Sequence, residues 1–225
     1  MKGSKTMKKY TLLLSQFYNE NTLNIFSDAS IIGKTGNQTG CYGVVAVVED
    51  NIIDSTYRLV SNTTNNNSEV KGIRAALDLA IKYKDNYKFI NIFSDSLISV
   101  NGLREYIFNW KYNESDGLLY SSMNKPVVNQ EVFIEARNML DILEKSKCII
   151  RIYHQSGHVS NAYSDIVEAG ECFKKCNNIN ANIDLNLIRY ISVWNNYVDN
   201  TSRGLLKRNK KNKTEYIDPI QFFRR

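Results

Sequence analysis

The chain has no apolar run near the ~20 residues that a membrane-spanning helix needs, so nothing in it reads as a membrane partner. Its lysine-rich opening, residues 1–10, leads into Thr11-Leu12-Leu13-Leu14. That run is too short for the apolar core of a signal peptide, and no small-residue cleavage site follows it. An intracellular, cytoplasmic protein is expected. Histidine and cysteine are scarce, at two and four residues. Of Cys41, Cys148, Cys172 and Cys176, only the last two lie close together, they do not form a CxxC, and neither His154 nor His158 is near them in sequence. This spacing argues against a zinc site and for reduced, partly buried thiols. Internal repeats and a second domain boundary are also missing.

What is present fits one domain with a real core: 225 residues, 43% hydrophobic and 23% charged. A monomer is expected. The net charge of +6 favours a polyanionic partner. Much of the excess lies at the ends, in Lys2, Lys5, Lys8 and Lys9 and then from Lys207 and Arg208 to Arg225. Such runs either touch phosphates or are solvated tails.

The stretch Asn24-Ile25-Phe26-Ser27-Asp28-Ala29-Ser30 reads as a short buried strand with a carboxylate at its tip. A core disfavours that charge, so it needs a cation, a donor or open water. Further strands are predicted over 43–49 and 53–60, making an antiparallel meander. The period then changes. Val70, Ile73, Leu77, Ala80 and Ile81 recur at helical spacing, with Asn67 or Ser68 as the cap and Glu69 in the first turn. A fourth strand over 88–94 again ends in an acid, Asp95. Helices are expected over 97–110, 130–145, 163–176 and 185–206, with a fifth strand over 148–153 and loop over 113–122. Acids in such settings suggest a metal site. The order of elements gives an α/β fold, a five-stranded mixed sheet flanked by helices. Residues 1–22 read as a loosely held arm that can add one edge strand at Tyr10–Leu14, 23–206 as the domain and 207–225 as a basic tail.

Several pieces in order then carry a resemblance. They are Phe26-Ser27-Asp28-Ala29-Ser30, Gly40-Cys41-Tyr42-Gly43, Thr63-Thr64-Asn65-Asn66-Asn67-Ser68-Glu69, Phe93-Ser94-Asp95-Ser96, Ile107-Phe108-Asn109-Trp110-Lys111, Asn124-Lys125-Pro126-Val127-Val128-Asn129 and Gly157-His158. Each is weak alone, but together they resemble type 1 ribonuclease H over residues 23–158 and again near Asn195. The resemblance implies the ribonuclease H-like fold. It also implies an endonuclease that hydrolyses the RNA strand of an RNA–DNA hybrid, leaving 5′-phosphate and 3′-hydroxyl ends, as in primer or hybrid removal during replication. Two Mg²⁺ ions, with Mn²⁺ as a substitute, would be held by four carboxylates. Three carry over to Asp28, Glu69 and Asp95.

The fourth acid is ambiguous. The family places an Asn-led Asp about ten residues past its active-site histidine. Asn161-Ala162-Tyr163-Ser164-Asp165 fits without insertion, and Asn195-Asn196-Tyr197-Val198-Asp199 fits if about 159–194 is an inserted helical segment. We prefer Asp199, because Val198 just before it suits a helix that turns Val inward and Asp to the site. The resemblance further implies His158 as a proton shuttle, with His154 as its competitor. Asn65, Asn66 and Asn129 match positions that read the 2′-hydroxyl groove. Thr64 and Asn109 match a DNA-phosphate pocket, Tyr106 stands near a DNA sugar, and Trp110 reads as core. The basic handle of the family is reduced to Lys111 and Lys125, with Glu114 and Asp116 between them. Two other readings stay open: another metal-dependent nuclease on this fold, and a non-catalytic hybrid-binding module.

Overall fold

The structure is a computed structural model and describes residues 10–211. Its centre is a five-stranded sheet in the order β4 (Asn51–Ser61), β3 (Asn37–Val48), β2 (Thr22–Lys34), β5 (Phe89–Ser94), β8 (Ile149–His154). The hairpin β2 and β3 and the following β4 are antiparallel. Strands β5 and β8 add in parallel. The mixed α/β sheet expected from the sequence is present. The chain also has β1 (Thr11–Leu12), the hairpin β6 (Lys111–Asn113) and β7 (Leu118–Tyr120), and β9 (Asn182–Ile183).

Helices cover both faces, because alternate residues of each strand are apolar on both sides. On one face Leu23, Ile25, Val44, Ala46, Ile90 and Ile92 pack against α1 (Asn65–Tyr83), α2 (Leu97–Arg104) and α3 (Gln130–Glu144). Trp110 joins this core edge-on to Phe133, at 4.9 Å between ring centroids. On the other face Phe26, Val45, Val47 and Phe93 pack against α4 (Tyr163–Cys176) and α5 (Leu185–Lys211). Parallel register puts Phe26, Phe93 and Tyr153 side by side. Their rings stack at 4.8 and 5.4 Å, and Phe173 of α4 packs tilted against Tyr153 at 5.4 Å. Full burial of each such side chain contributes about 1.5–3 kcal/mol.

Several expectations need correction. Asp28 is not at a strand tip. β2 continues six residues past it, because Lys34 pairs with Asn37 across a two-residue turn whose Gly36 takes φ 87°. The segment expected as a loose arm is tied down from Thr11 onward. β1 pairs with β9, and Phe17 is buried against Phe93 and Tyr153. Its carbonyl also accepts from the buried Asn24 amide at 2.7 Å. Residues 1–9 of that arm lie outside the described residues. Thr64, not Asn67 or Ser68, caps α1, accepting from the Asn67 amide at 3.2 Å, so Glu69 falls in the second turn. The loop expected over 113–122 contains the β6–β7 hairpin, and the helix expected over 97–110 ends at Arg104 before a 3-10 turn, Tyr106–Phe108. α5 runs from Leu185 without a break, so residues 185–194 of the expected insertion share one helix with Asp199. That helix reaches Lys211 and takes in the start of the expected tail; residues 212–225 lie outside the described residues.

Candidate active site

Parallel pairing of Ser27 with Ser94 brings the next residues, Asp28 and Asp95, to adjacent positions on β2 and at the end of β5. α1 lies close over β2 at Gly72, where a Cβ would come within 2.8 Å of the Ser27 hydroxyl. One turn earlier on the same helix stands Glu69. α5 crosses the other face and supplies Asp199. These four acids line one open cavity of about 450 Å³, together with Ser30, Asn65, His158, Arg203 and Lys207.

Each acid is held differently. Asp28 is 6% exposed; its Oδ1 accepts from the Ala29 amide at 2.6 Å, and its Oδ2 has no hydrogen-bond partner among the described residues. Burial, then the neighbouring charges of Asp95 and Asp199, push the Asp28 carboxyl up to about 8. Burial and Glu69 push Asp95 up to about 6. Glu69 accepts from the Asn65 amide and, at 2.7 Å, from the Ser96 hydroxyl. Ser96 also caps α2 through the Ser99 amide, so one side chain joins the start of α2 to Glu69. Asp199 is 5% exposed and accepts at Oδ1 from Ser30 Oγ at 3.1 Å and from Arg203 Nε at 2.7 Å.

His158 stands at the rim in a left-handed conformation, φ 54°. Its Nδ1 lies 3.5 Å from Asp199 Oδ2, and its Nε2 lies 3.1 Å from the Arg203 guanidinium. Arginine only donates, so Nε2 must be the acceptor and the ring proton sits on Nδ1, facing Asp199. Gly157 is required beside it, because a side chain there would run into Asp95 Oδ2. The competing histidine, His154, is buried one residue short of the cavity loop, and its Nε2 lies 3.2 Å from the Asp95 carbonyl oxygen. Burial holds its imidazole below the usual value.

Asp165 is elsewhere. It is exposed in the first turn of α4 and accepts from the Ser160 hydroxyl at 2.5 Å. Of the expected groove residues only Asn65 lines the cavity; Thr64, Asn66, Tyr106, Asn109 and Asn129 lie outside it. Thr64, Asn65 and Asn66 are exposed at the start of α1. Asn129 precedes α3 at φ 60°, with its Oδ1 accepting from Asn67 Nδ2 at 2.7 Å. Tyr106 is exposed, and Asn109 ties back to the Glu105 carbonyl at 2.9 Å. Three contributors escaped the sequence reading. Arg203 lies four residues after Asp199 on one helix, a spacing that predicts an ion pair. Ser30 and the Asn67–Asn129 contact carry no local signal, since their partners are 169 and 62 residues away.

A model of the RNase H family matches residues 20–172, more than half of the chain. The chain belongs to the ribonuclease H family. Ribonuclease H of Pseudoalteromonas translucida is 30% identical over 151 residues, covering 66% of this chain and 86% of that protein. Ribonuclease HI of Pasteurella multocida is 29% identical over 154 residues, covering 67% and 90%. Ribonuclease H of Actinobacillus succinogenes is 34% identical over 114 residues, covering 50% of this chain and 66% of its own length. The solution structure of the prototype foamy virus RNase H domain superposes with a TM-score of 0.51 at 16% identity, over 76% of this chain and 99% of that one. This last likeness supports the fold. The family match takes in Asp165 and stops before Asp199, whereas Asp199, not Asp165, lines the cavity with Asp28, Glu69 and Asp95. No described helix is long and apolar enough to cross a membrane.

Proposed function

We propose that this protein is an endonuclease that hydrolyses the RNA strand of RNA–DNA hybrids, leaving 5′-phosphate and 3′-hydroxyl ends. Family membership supports the reaction. The observation that carries the residue assignment is the cavity itself, which Asp28, Glu69, Asp95 and Asp199 line together, with Asp28 Oδ2 unpartnered among the described residues. Four carboxylates outnumber the two basic side chains, Arg203 and Lys207, that share their cavity, and an all-oxygen donor set suits hard divalent ions such as Mg²⁺ or Mn²⁺. Asp28, Glu69, Asp95 and Asp199 would hold two such ions, which when bound supply Lewis-acid polarisation of the phosphate and a more acidic attacking water.

The remaining work falls to the chain. Asp28 and Asp95 must give up their protons to serve, and the dications would draw their raised carboxyls back toward the ordinary range. His158 Nε2 offers a lone pair at the cavity rim once Arg203 swings to a phosphate. From there it can take the proton lost by the attacking water or return one to the 3′-oxygen as the P–O bond breaks. Asp199 holds Nδ1–H and so fixes which nitrogen works. Asn65, Asn66 and Asn129 would read 2′-hydroxyls in the wide minor groove, with Asn67 orienting Asn129. Thr64 and Asn109 would take a DNA phosphate, and Tyr106 would pack on a DNA sugar. The purified protein with end-labelled hybrid, duplex RNA and duplex DNA tests this reading. Internal cleavage of hybrid RNA alone, with Mg²⁺ or Mn²⁺ and not with EDTA, is expected; comparable cleavage of duplex RNA would sink it.

A further inference from the structure

Outside the carboxylate cavity, three side chains of the kinds that can ligate a metal come together: His154, Cys172 and Cys176. Cys172 and Cys176 stand one turn apart on α4 with their sulfurs 3.8 Å from each other. His154 ends β8, and one ligand atom from each of the three residues lies within 4.8 Å of the other two. Linear spacing hides this group, because packing of α4 on β8 closes a gap of 18 residues. His154 is 8% exposed, and the two cysteines are half-buried and free. The imidazole is already arranged as a ligand. Its Nε2 faces the Asp95 carbonyl at 3.2 Å, which must be met by an N–H, so the lone pair lies on Nδ1. That buried Nδ1 has no partner among the described residues. An imidazole whose other nitrogen donates to a backbone carbonyl is the usual outer arrangement of a metal-bound histidine.

Hydrogen bonds tie the frame around the three residues together. Asn177, which follows α4, accepts from the His154 amide at 2.9 Å and donates to the His154 carbonyl at 2.7 Å and to the Phe173 carbonyl at 2.8 Å. Arg104 of α2 donates to the Cys176 carbonyl at 3.3 Å and to Asn177 Oδ1 at 3.0 Å. The end of β8 and the end of α4 are thereby fixed to each other before any ion arrives.

We infer that His154, Cys172 and Cys176 form a site for a soft or borderline divalent cation of the zinc class. Two thiolates and a neutral imidazole match that cation's preferred donors, and a water completes four-coordination. Binding releases the two thiol protons to solvent. The ion clamps α4 to β8 and, through Nε2–H, braces the corner that carries Asp95. The inference rests on none of the roles assigned to the carboxylates, whose oxygen donors suit a different class of ion.

The test uses the full chain, reduced and stripped of metal, titrated with Cd²⁺ as a spectroscopic probe and with Zn²⁺ by calorimetry. One equivalent of Cd²⁺ should produce thiolate-to-metal charge-transfer absorption. Asp28→Asn and the pair Cys41→Ser with Cys148→Ser should keep it. Cys172→Ser with Cys176→Ser should abolish it and weaken Zn²⁺ binding at this site by at least about 100-fold, since ligand loss exceeds the 10–100-fold cost of losing an outer partner. If that double variant does not fold, Cys172→Ala alone must lower the absorption by about half, as one of two thiolates. Absence of charge-transfer absorption in the parent chain, or its survival without Cys172 and Cys176, would overturn the inference.

Discussion

Two five-residue stretches, Asn161-Ala162-Tyr163-Ser164-Asp165 and Asn195-Asn196-Tyr197-Val198-Asp199, share an Asn lead and a terminal Asp, yet fold into opposite circumstances. The first starts α4 on the surface. Asp165 lies in a first helical turn, where an anion is favoured by the dipole. The hydroxyls of Ser160 and Ser164 hold its carboxyl below the usual range. The second lies within α5 with Asn195, Val198 and Asp199 all buried. Asp199 is kept by Arg203, Ser30 and His158 and shares its cavity with three other acids. One acid needs nothing further; the other belongs to a cluster with too little positive charge. The difference lies in surroundings, which similarity along the chain does not measure.

The largest expected effect comes from Asp28, which is buried between the charges of Asp95 and Asp199. Asp28→Asn should lower metal-dependent cleavage of hybrid RNA by at least about 10³-fold, at the upper end of losses for one electrostatic contact to a transition state. The same change should stabilise the metal-free protein at alkaline pH. Asp28 in the fold keeps its proton up to about 8, while in the unfolded chain it loses it near ~3.9. Folded protein therefore binds more protons between these values, and stability falls as pH rises through that window. Asp95, raised to about 6, acts in the same direction over the lower part of it. Denaturant unfolding at pH 8 without metal should show Asp28→Asn more stable than the parent by more than about 1.4 kcal/mol, the worth of one pKa unit. Equal stability would mean that the cluster is not short of positive charge.

Next in size is the rim. His158→Ala should cost about 10²-fold in turnover, the lower bound for a positioned acid or base, with hybrid binding little changed. Arg203→Ala frees Nε2 and Asp199 together. It should therefore raise the KM for hybrid as well as lower kcat, because Arg203 is also the group offered to a phosphate. A fall in kcat with KM unchanged would reduce Arg203 to a structural prop. The smallest effect belongs to Lys207, which lines the same cavity one turn beyond Arg203. If it meets a phosphate, Lys207→Gln should flatten the log–log salt dependence of hybrid binding by about 0.7–0.9, one contact's worth. An unchanged slope would make it a solvated end.

The core elements were legible because apolar residues recur at a period of 2 or 3.6. Leu23, Ile25, Val44 and Ala46 face one side, and Val70, Ile73 and Leu77 meet them. Three acids could be read because each sits in a strand or at a helix start beside distinctive neighbours. The misreadings have physical causes. Asp28 was placed at a strand end because the polar and glycine-bearing residues 33–40 hide a long hairpin. Phe17 looked like part of a loose arm, since its pocket is built from β5 and β8 far along the chain. Ser30, the Asn67–Asn129 contact and the meeting of His154 with Cys172 and Cys176 depend on packing alone. Arg203 could have been found from its four-residue spacing to Asp199.

The most direct test of the account sets the two Asn-led acids against each other. Asp165→Asn and Asp199→Asn, each shown by far-UV circular dichroism to be folded, are compared in single-turnover cleavage of RNA–DNA hybrid with Mg²⁺. Asp199→Asn should lose at least about 10²-fold, because an amide keeps the size of the ligand but removes its charge beside the dications. Asp165→Asn should stay near the parent rate, with stability changed by no more than about 0.5 kcal/mol as for other surface changes. A dead Asp165→Asn beside an active Asp199→Asn would contradict the account, and with it the assignment of α5 as the helix that completes the site.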